Sequence, residues 1–340
     1  MGLLEFEFAD QALHFPGLRL WFDAHRRRRA GELVVVSHAH SDHTGAHAEV
    51  IFSPPTQRLM RSRVGGKRVE HVLEFGVRTD LRDPRFGVPR EAHLTVWPAG
   101  HVLGSAMALL EAEGSSLLYT GDFKLRPGLS SEVCQPVPAD VLVMETTFGL
   151  LRYVLPPSGA VQAGLRQFAR ATLAKGQVPV LLGYSLGKAQ EILASLAGVD
   201  APIMVHQAIE TMTTIYAEFG RRFPNRVPWT PPSAAGHVVI APPGAALKEL
   251  REHHPALAVA AVTGWALDAS CQYRYRAQAA FPLSDHADYP ELLAMVQQVQ
   301  PKRIYTLHGF AGEFATDLRR LGYDARALTE IDQFELPLEL

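Results

Sequence analysis

Apolar and polar positions alternate over residues 4–8, 12–15 and 18–22, the last ending Arg19-Leu20-Trp21-Phe22, which predicts antiparallel strands. Leu33-Val34-Val35-Val36-Ser37 is instead a continuous β-branched run, the pattern of a strand buried on both faces. Strand-like runs recur at 93–97, 106–112, 116–120 and 140–144, with a helix predicted around 55–63. Past residue 158 the texture changes. Helices predicted over 158–174, 186–197 and 207–220 alternate with strands at 178–182, 202–205, 237–240 and 258–262, as in βαβ units on a parallel sheet. The proline-rich segments Leu155-Pro156-Pro157 and Pro228-Trp229-Thr230-Pro231-Pro232 read as loops. From Phe281 the pattern predicts a strand, a loop with His286, a helix over 290–299, a strand over 303–307 ending at His308, and a helix over 311–321. No internal repeat is present.

Length and composition narrow the class. At ~150 residues per domain, 340 residues make one large domain or two interlocked ones. The chain is 47% hydrophobic and 20% charged, with 27 glycines and 24 prolines, which excludes disordered and fibrous classes. A net charge of −2 argues against a polycation that coats nucleic acid, although a local basic groove remains compatible with it. Two cysteines, Cys134 and Cys271, cannot build a disulfide framework and point to a reducing compartment. With 15 histidines against those two, any metal is expected on imidazole and carboxylate. The N-terminus lacks a signal-peptide profile, and no apolar run reaches ~18 residues, so a soluble, cytoplasmic protein without a membrane span is expected.

The densest chemistry is Ser37-His38-Ala39-His40-Ser41-Asp42-His43, directly after the buried-type strand. In an extended turn His38 and His40 project to one side and can converge on one ion. Asp42 and His43 point elsewhere and can serve a second. Such crowding of polar groups is costly unless something binds them. Three further sites sit where strands end: His101 in Gly100-His101-Val102-Leu103-Gly104, Asp122 in Tyr119-Thr120-Gly121-Asp122, and His308 in Leu307-His308-Gly309. A lone histidine or a Gly-Asp turn is commonplace; with 38–43 they complete a binuclear ligand set.

On these residues the chain resembles the metallo-β-lactamase fold and, within it, the β-CASP nucleases. Asp23 matches the first motif of that family, His38-Ala39-His40-Ser41-Asp42-His43 the second, His101 the third and Asp122 the fourth. Glu145 in Val143-Met144-Glu145-Thr146-Thr147-Phe148-Gly149, His286 in Leu283-Ser284-Asp285-His286-Ala287-Asp288, and His308 resemble the three β-CASP motifs. Gly183-Tyr184-Ser185-Leu186-Gly187-Lys188-Ala189-Gln190-Glu191 is similar to the segment that opens the cap. The resemblance implies an α/β protein: a metallo-β-lactamase αββα sandwich over 1–155 and 271–340, interrupted by a β-CASP α/β cap domain over 156–270. It implies two zinc ions, one on His38, His40 and His101, the other on Asp42, His43 and His308, with Asp122 bridging. Manganese could replace zinc in vitro. His286 would be the general acid, oriented by Glu145, and Asp23 would hold the histidine loop.

A single strand of DNA or RNA is the expected substrate. Lys188 and Gln190, near a helix start, and Ser284 are candidate substrate contacts. The run Arg26-Arg27-Arg28-Arg29 reads equally as a nucleic-acid patch or a solvated face. Tyr273, Arg274, Tyr275 and Arg276 could stack on a strand of nucleic acid or form an exposed β-strand. The layout and Leu283-Ser284-Asp285-His286-Ala287-Asp288-Tyr289 look most like bacterial ligase-associated DNA exonucleases, sequences also labelled mRNA 3′-end processing factors. The expected function is therefore a metal-dependent DNA exonuclease of repair, with a DNA ligase or helicase as candidate partner. RNA processing is the alternative that His308 favours. A small-molecule metallo-hydrolase would need neither the cap nor the Glu145/His286 pair, and a non-catalytic scaffold would have lost ligands that are all present here.

Overall fold

The computed structural model describes residue 2 and residues 4–328, and the chain falls into two compact units. One comprises Met1–Pro127, Ser131–Tyr153 and His286–Leu340; the other comprises Gly128–Ser130 and Val154–Asp285. The C-terminal stretch expected to complete the first unit includes 329–340, which lie outside the described residues.

The first unit contains two sheets. Glu7–Ala9, Ala12–Phe15, Leu20–Phe22, Leu33–Val35, Glu49–Phe52 and Val69–Val72 form a six-stranded sheet in sequence order. The second has seven strands in the spatial order Ala325–Ala327, Arg303–Leu307, Val141–Glu145, Ser115–Tyr119, Ala106–Ala112, His93–Pro98 and Thr79–Asp80. Period-two alternation assigns each side chain to a layer. Leu117, Tyr119, Val143 and Leu307 face one core together with Phe15, Phe22, Val35 and Ile51 of the first sheet. Leu118, Leu142, Met144 and Ile304 face the other core, packed against the helices Tyr289–Val299 and Ala311–Arg320 through Leu292, Met295, Phe314 and Leu318. The helix Pro54–Arg63 contacts the edge strand Val69–Val72 of the first sheet. This is the αββα sandwich that the motifs imply.

Strand direction creates the functional rim. Leu20–Phe22 runs parallel to Leu33–Val35, and Ser115–Tyr119, Val141–Glu145 and Arg303–Leu307 run parallel to one another. His93–Pro98 has the same sense, being antiparallel to the neighbour that is itself antiparallel to Ser115–Tyr119. Asp23, 37–43, His101, Asp122, Glu145 and His308 therefore all lie at or just past carboxyl ends of strands, where side chains from separate segments can converge.

The second unit is a parallel sheet in the order Arg226–Val227, Ile203–Val205, Val238–Ala241, Val178–Leu182, Leu257–Val262 and Ala279–Phe281. Helices Ser158–Ala174, Lys188–Ser195 and Gln207–Glu218 cover one face through Leu165, Ile192 and Ile209, and Ala245–His253 covers the other through Leu247 and Leu250. The unit continues past residue 270, because Ala279–Phe281 pairs with Leu257–Val262. Residues 273–275 lie in a short helix, Cys271–Tyr275, capped by Arg276 at φ 50°, and not in an exposed strand. Among the described residues no helix is long and apolar enough to cross a membrane, and both cysteines are buried and outside any disulfide.

Within the first unit an aromatic ladder ties the sheets together: Phe15 and Phe22 lie 5.2 Å apart by ring centroid, and Phe22 and Tyr119 5.4 Å. Phe22 is fully buried. Phe22→Ala should destabilise the protein by about 3–5 kcal/mol through lost burial and the cavity left behind. Urea unfolding monitored by circular dichroism would measure the loss.

Candidate metal centre

Asp23 lies one residue past its strand, at φ 50°, a left-handed conformation that Asp tolerates better than most residues. Its carboxylate gathers four donors: the Ser37 amide at 2.7 Å, the Ser37 hydroxyl at 2.5 Å, His43 Nδ1 at 2.8 Å and the Tyr119 hydroxyl at 2.9 Å. These bonds settle two imidazole orientations. The Ser37 hydroxyl gives its proton to Asp23, so Oγ accepts from His38 Nδ1 at 3.0 Å and leaves His38 Nε2 as a bare acceptor. His43, holding Asp23 through Nδ1, turns Nε2 toward Asp122 Oδ2 at 3.3 Å. Burial, with His43 and His101 nearby, holds His38 well below the ordinary imidazole range, which keeps it neutral and able to ligate.

His38 Nε2 and His101 Nε2 each lie 3.0 Å from His40 Nδ1, and 3.6 and 3.7 Å from Asp122 Oδ2. Three ring nitrogens this close repel through their lone pairs unless a proton or cation lies among them. A zinc ion with ligand bonds near 2.0–2.1 Å demands tetrahedral edges of about 3.3 Å, which the observed separations bracket. The four residues therefore fit a divalent ion, and they form a cluster within 4.8 Å. His101 is set by its own loop, where the Ser105 hydroxyl accepts from the His101 amide at 3.1 Å.

Asp42, His43 and His308 are more loosely grouped. Asp42 Oδ2 is 3.9 Å from His43 Nε2 with its side chain largely exposed, and the His43 and His308 rings are 5.8 Å apart. Burial and then His43 lower the pKa of His308. Its loop is tightly fixed. His308 and Gly309 have φ of 58°, and a Cβ on Gly309 would meet the Thr147 backbone at 2.4 Å. Thr146 Oγ1 donates to the His308 carbonyl at 2.7 Å.

His286 stands beside the four-residue cluster, its Nδ1 4.0 Å from Asp122 Oδ2 and 2.9 Å from Glu145 Oε1. The Glu145 side chain is fully buried and also accepts from the Phe123 amide at 3.0 Å and the Thr147 amide at 3.2 Å, so it is held as a fixed acceptor. Asp122 is held well below the ordinary carboxylate range: burial opposes its charge, but His43 and His286 outweigh that cost.

The expected substrate contacts belong to the second unit. Lys188, Gln190 and Ser284 are buried. Lys188 Nζ donates to the Leu283 carbonyl at 2.7 Å and to Asp285 Oδ1 at 2.8 Å. Gln190 caps its own helix, accepting from the Gly187 amide at 2.7 Å and donating to Thr213 Oγ1 at 3.0 Å. Lys188 and Gln190 thus have internal partners in place of open solvent. In the arginine run, Arg28 packs over the Trp21 ring at 3.5 Å and pairs with Asp10 at 3.2 Å, whereas Arg26 is largely exposed. Ser37 and Tyr119 were not legible as site residues. Ser37 is the weak signal that could have been caught, lying next to His38; Tyr119 reads as a core strand position.

Residues 17–159 match the metallo-beta-lactamase superfamily, and residues 273–328 match a Zn-dependent metallo-hydrolase RNA specificity domain. The chain is 46% identical over 328 residues to a protein from Opitutus terrae named Probable DNA ligase, covering 96% of this chain and 31% of that protein. It is 26% identical over 220 residues to an RNase J-like protein of Methanocaldococcus jannaschii, covering 56% of this chain and 51% of the relative. Identity to Endoribonuclease YSH1 of Eremothecium gossypii is 29% over 199 residues, covering 48% of this chain and 25% of that enzyme. The chain thus spans between a quarter and about half the length of these relatives.

Two outcomes follow from the Asp23 and Asp122 networks. Tyr119→Phe removes one donor from a buried carboxylate and should cost about 1.5–3 kcal/mol in denaturant unfolding. For His43, burial opposes protonation, but Asp122 and Asp23 outweigh it and raise its pKa well above the ordinary value. With divalent ions chelated, that stabilisation is complete below the unfolded histidine pKa and is lost as pH rises through the folded one. Unfolding of chelated protein between about pH 6 and 9 should show declining stability, with a shallower slope in Asp122→Asn.

Proposed function

Since the chain belongs to the β-CASP nucleases of the metallo-β-lactamase superfamily, we propose that it is a binuclear-metal phosphodiesterase acting as a DNA exonuclease in repair. One observation carries the reading: His38, His40, His101 and Asp122 at near-tetrahedral spacing beside the His286–Glu145 pair.

His38, His40 and His101 would hold one divalent ion, Asp42, His43 and His308 the other, with Asp122 shared; zinc suits this donor set and manganese can substitute. Bound there, two such ions supply Lewis acidity at the phosphodiester. The remaining work falls to the chain. Glu145 accepts from His286 Nδ1 and fixes the ring, so Nε2 is the atom that would carry a proton to the leaving oxygen as general acid. Asp23 keeps His38 and His43 in their ligating tautomers through Ser37 and directly.

DNA as substrate is supported by the 46% identity to a protein named as a DNA ligase, and a ligase or helicase is the protein partner we propose, in the cytoplasm. RNA processing is the second reading. It is favoured by the RNA specificity domain matched over residues 273–328, which contains His286 and His308.

End-labelled single-stranded DNA and RNA of one sequence, incubated with zinc or manganese, separate the two. Progressive shortening of DNA, absent in Asp122→Asn, is expected, and the labelled end gives the direction. Cleavage confined to RNA moves the protein to RNA processing. His286→Ala should lower turnover by ~10²–10⁴ with metal content unchanged. Loss of metal in that variant would make His286 a ligand instead.

A further inference from the structure

The helix Lys188–Ser195 carries two buried charges one turn apart, Lys188 and Glu191. Burying a cation and an anion is costly unless each finds close partners, and apolar residues of similar volume would pack the helix as well. Each does find close partners, in two short segments far away in sequence. Lys188 Nζ takes the Leu283 carbonyl and Asp285 Oδ1. The Glu191 carboxylate accepts from the amides of Leu129 at 3.0 Å and Ser130 at 3.2 Å, and from the Ser130 hydroxyl at 2.8 Å. All of these residues belong to the α/β unit.

Chain order gives the two segments their meaning. Gly128–Ser130 is a three-residue excursion between stretches of the sandwich unit, and Asp285 is the last residue before the chain re-enters it. Three of the four points at which the chain passes between units thus fall at segments gripped by this helix. Just beyond them lie groups that set the metal centre. Ser131 Oγ donates to the Gly100 carbonyl at 2.9 Å, and Glu132 Oε2 accepts from the Gly104 amide at 2.9 Å, on either side of His101. Following Asp285 is His286 itself, bonded to Glu145.

Resting on the nuclease reading above, we infer that Lys188 and Glu191 are positioning residues. Lys188 fixes the approach to His286, and Glu191 fixes the approach to the His101 loop, each through one or two intervening residues. Neither touches substrate.

The test uses Lys188→Met, Lys188→Arg and Glu191→Gln in the full chain, with melting temperature, metal content, amide exchange by mass spectrometry and cleavage of end-labelled DNA. Exchange should quicken at 283–287 in Lys188→Met and at 129–132 in Glu191→Gln. Displacing a reacting group by a fraction of an ångström should lower kcat about 10–100-fold, with KM within about threefold and metal retained. Lys188→Arg, which keeps the donor, should recover most of the rate and supplies the comparison if Lys188→Met fails to fold. Folded Lys188→Met and Glu191→Gln with unchanged kcat would overturn the inference, as would a change confined to KM, which would make the residues substrate contacts. If the wild-type protein cleaves no nucleic acid, the nuclease reading falls, and unchanged exchange in the variants would overturn the clamp on its own.

Discussion

The carboxylate of Asp23 is the interaction on which the centre depends. A buried anion is tolerable only where donors surround it, and four are supplied here from two strand ends. In return, Asp23 fixes the entry of the histidine loop through Ser37, selects the ring nitrogens that His38 and His43 present, and ties the first sheet to Tyr119 of the second. Tyr119 stands at the end of the aromatic ladder from Phe15 and Phe22, so packing in the core is transmitted to the orientation of the imidazoles. Burial with Asp23 beside it pushes the Tyr119 hydroxyl well above its ordinary pKa, which keeps it a donor.

Much of this was legible in the chain because parallel strands concentrate chemistry at their carboxyl ends. A β-branched run leading into His38-Ala39-His40-Ser41-Asp42-His43, and strands ending at Asp122, Glu145 and His308, all announce a rim before any coordinate is known. What escaped has a physical cause in each case. Lys188 and Gln190 have the composition of an anion-binding helix start; only the arrival of Leu283 and Asp285, from the far side of the cap sequence, turns the lysine inward. Glu49–Phe52 and Val69–Val72 are not legible in the sequence because neither Glu-Val-Ile-Phe nor Val-Glu-His-Val alternates apolar and polar positions. Ala245–His253 is masked by Pro242 and Pro243, which read as loop. Tyr273 to Arg276 alternate like a strand, yet a single helical turn closed by a left-handed Arg276 accommodates them.

The two units follow different solutions to one requirement, that a sheet cover both faces. In the sandwich unit the sheets cover each other and helices cover the remaining faces; in the α/β unit crossover helices cover both sides of a fully parallel sheet. The arrangement leaves strand ends as the natural place for irregular backbone. Left-handed conformations at Asp23, His308 and Gly309 are found there, held by hydrogen bonds from Ser37, Tyr119 and Thr146.

The pairing of Val141–Glu145 with Arg303–Leu307 bears on biosynthesis. The first of these strands leaves the ribosome long before the second, and Val154–Asp285, the bulk of the α/β unit, is translated between them. Until Arg303–Leu307 arrives, the seven-stranded sheet has an open edge, and neither His286 nor His308 has reached the rim. The nascent chain therefore carries His38, His40, His101 and Asp122 before His286 and His308 exist, and a chain terminated early carries only part of the cluster. Pairing of the late strand extends the sheet from Val141–Glu145 toward Ala325–Ala327 and brings His308 to the rim in the same step.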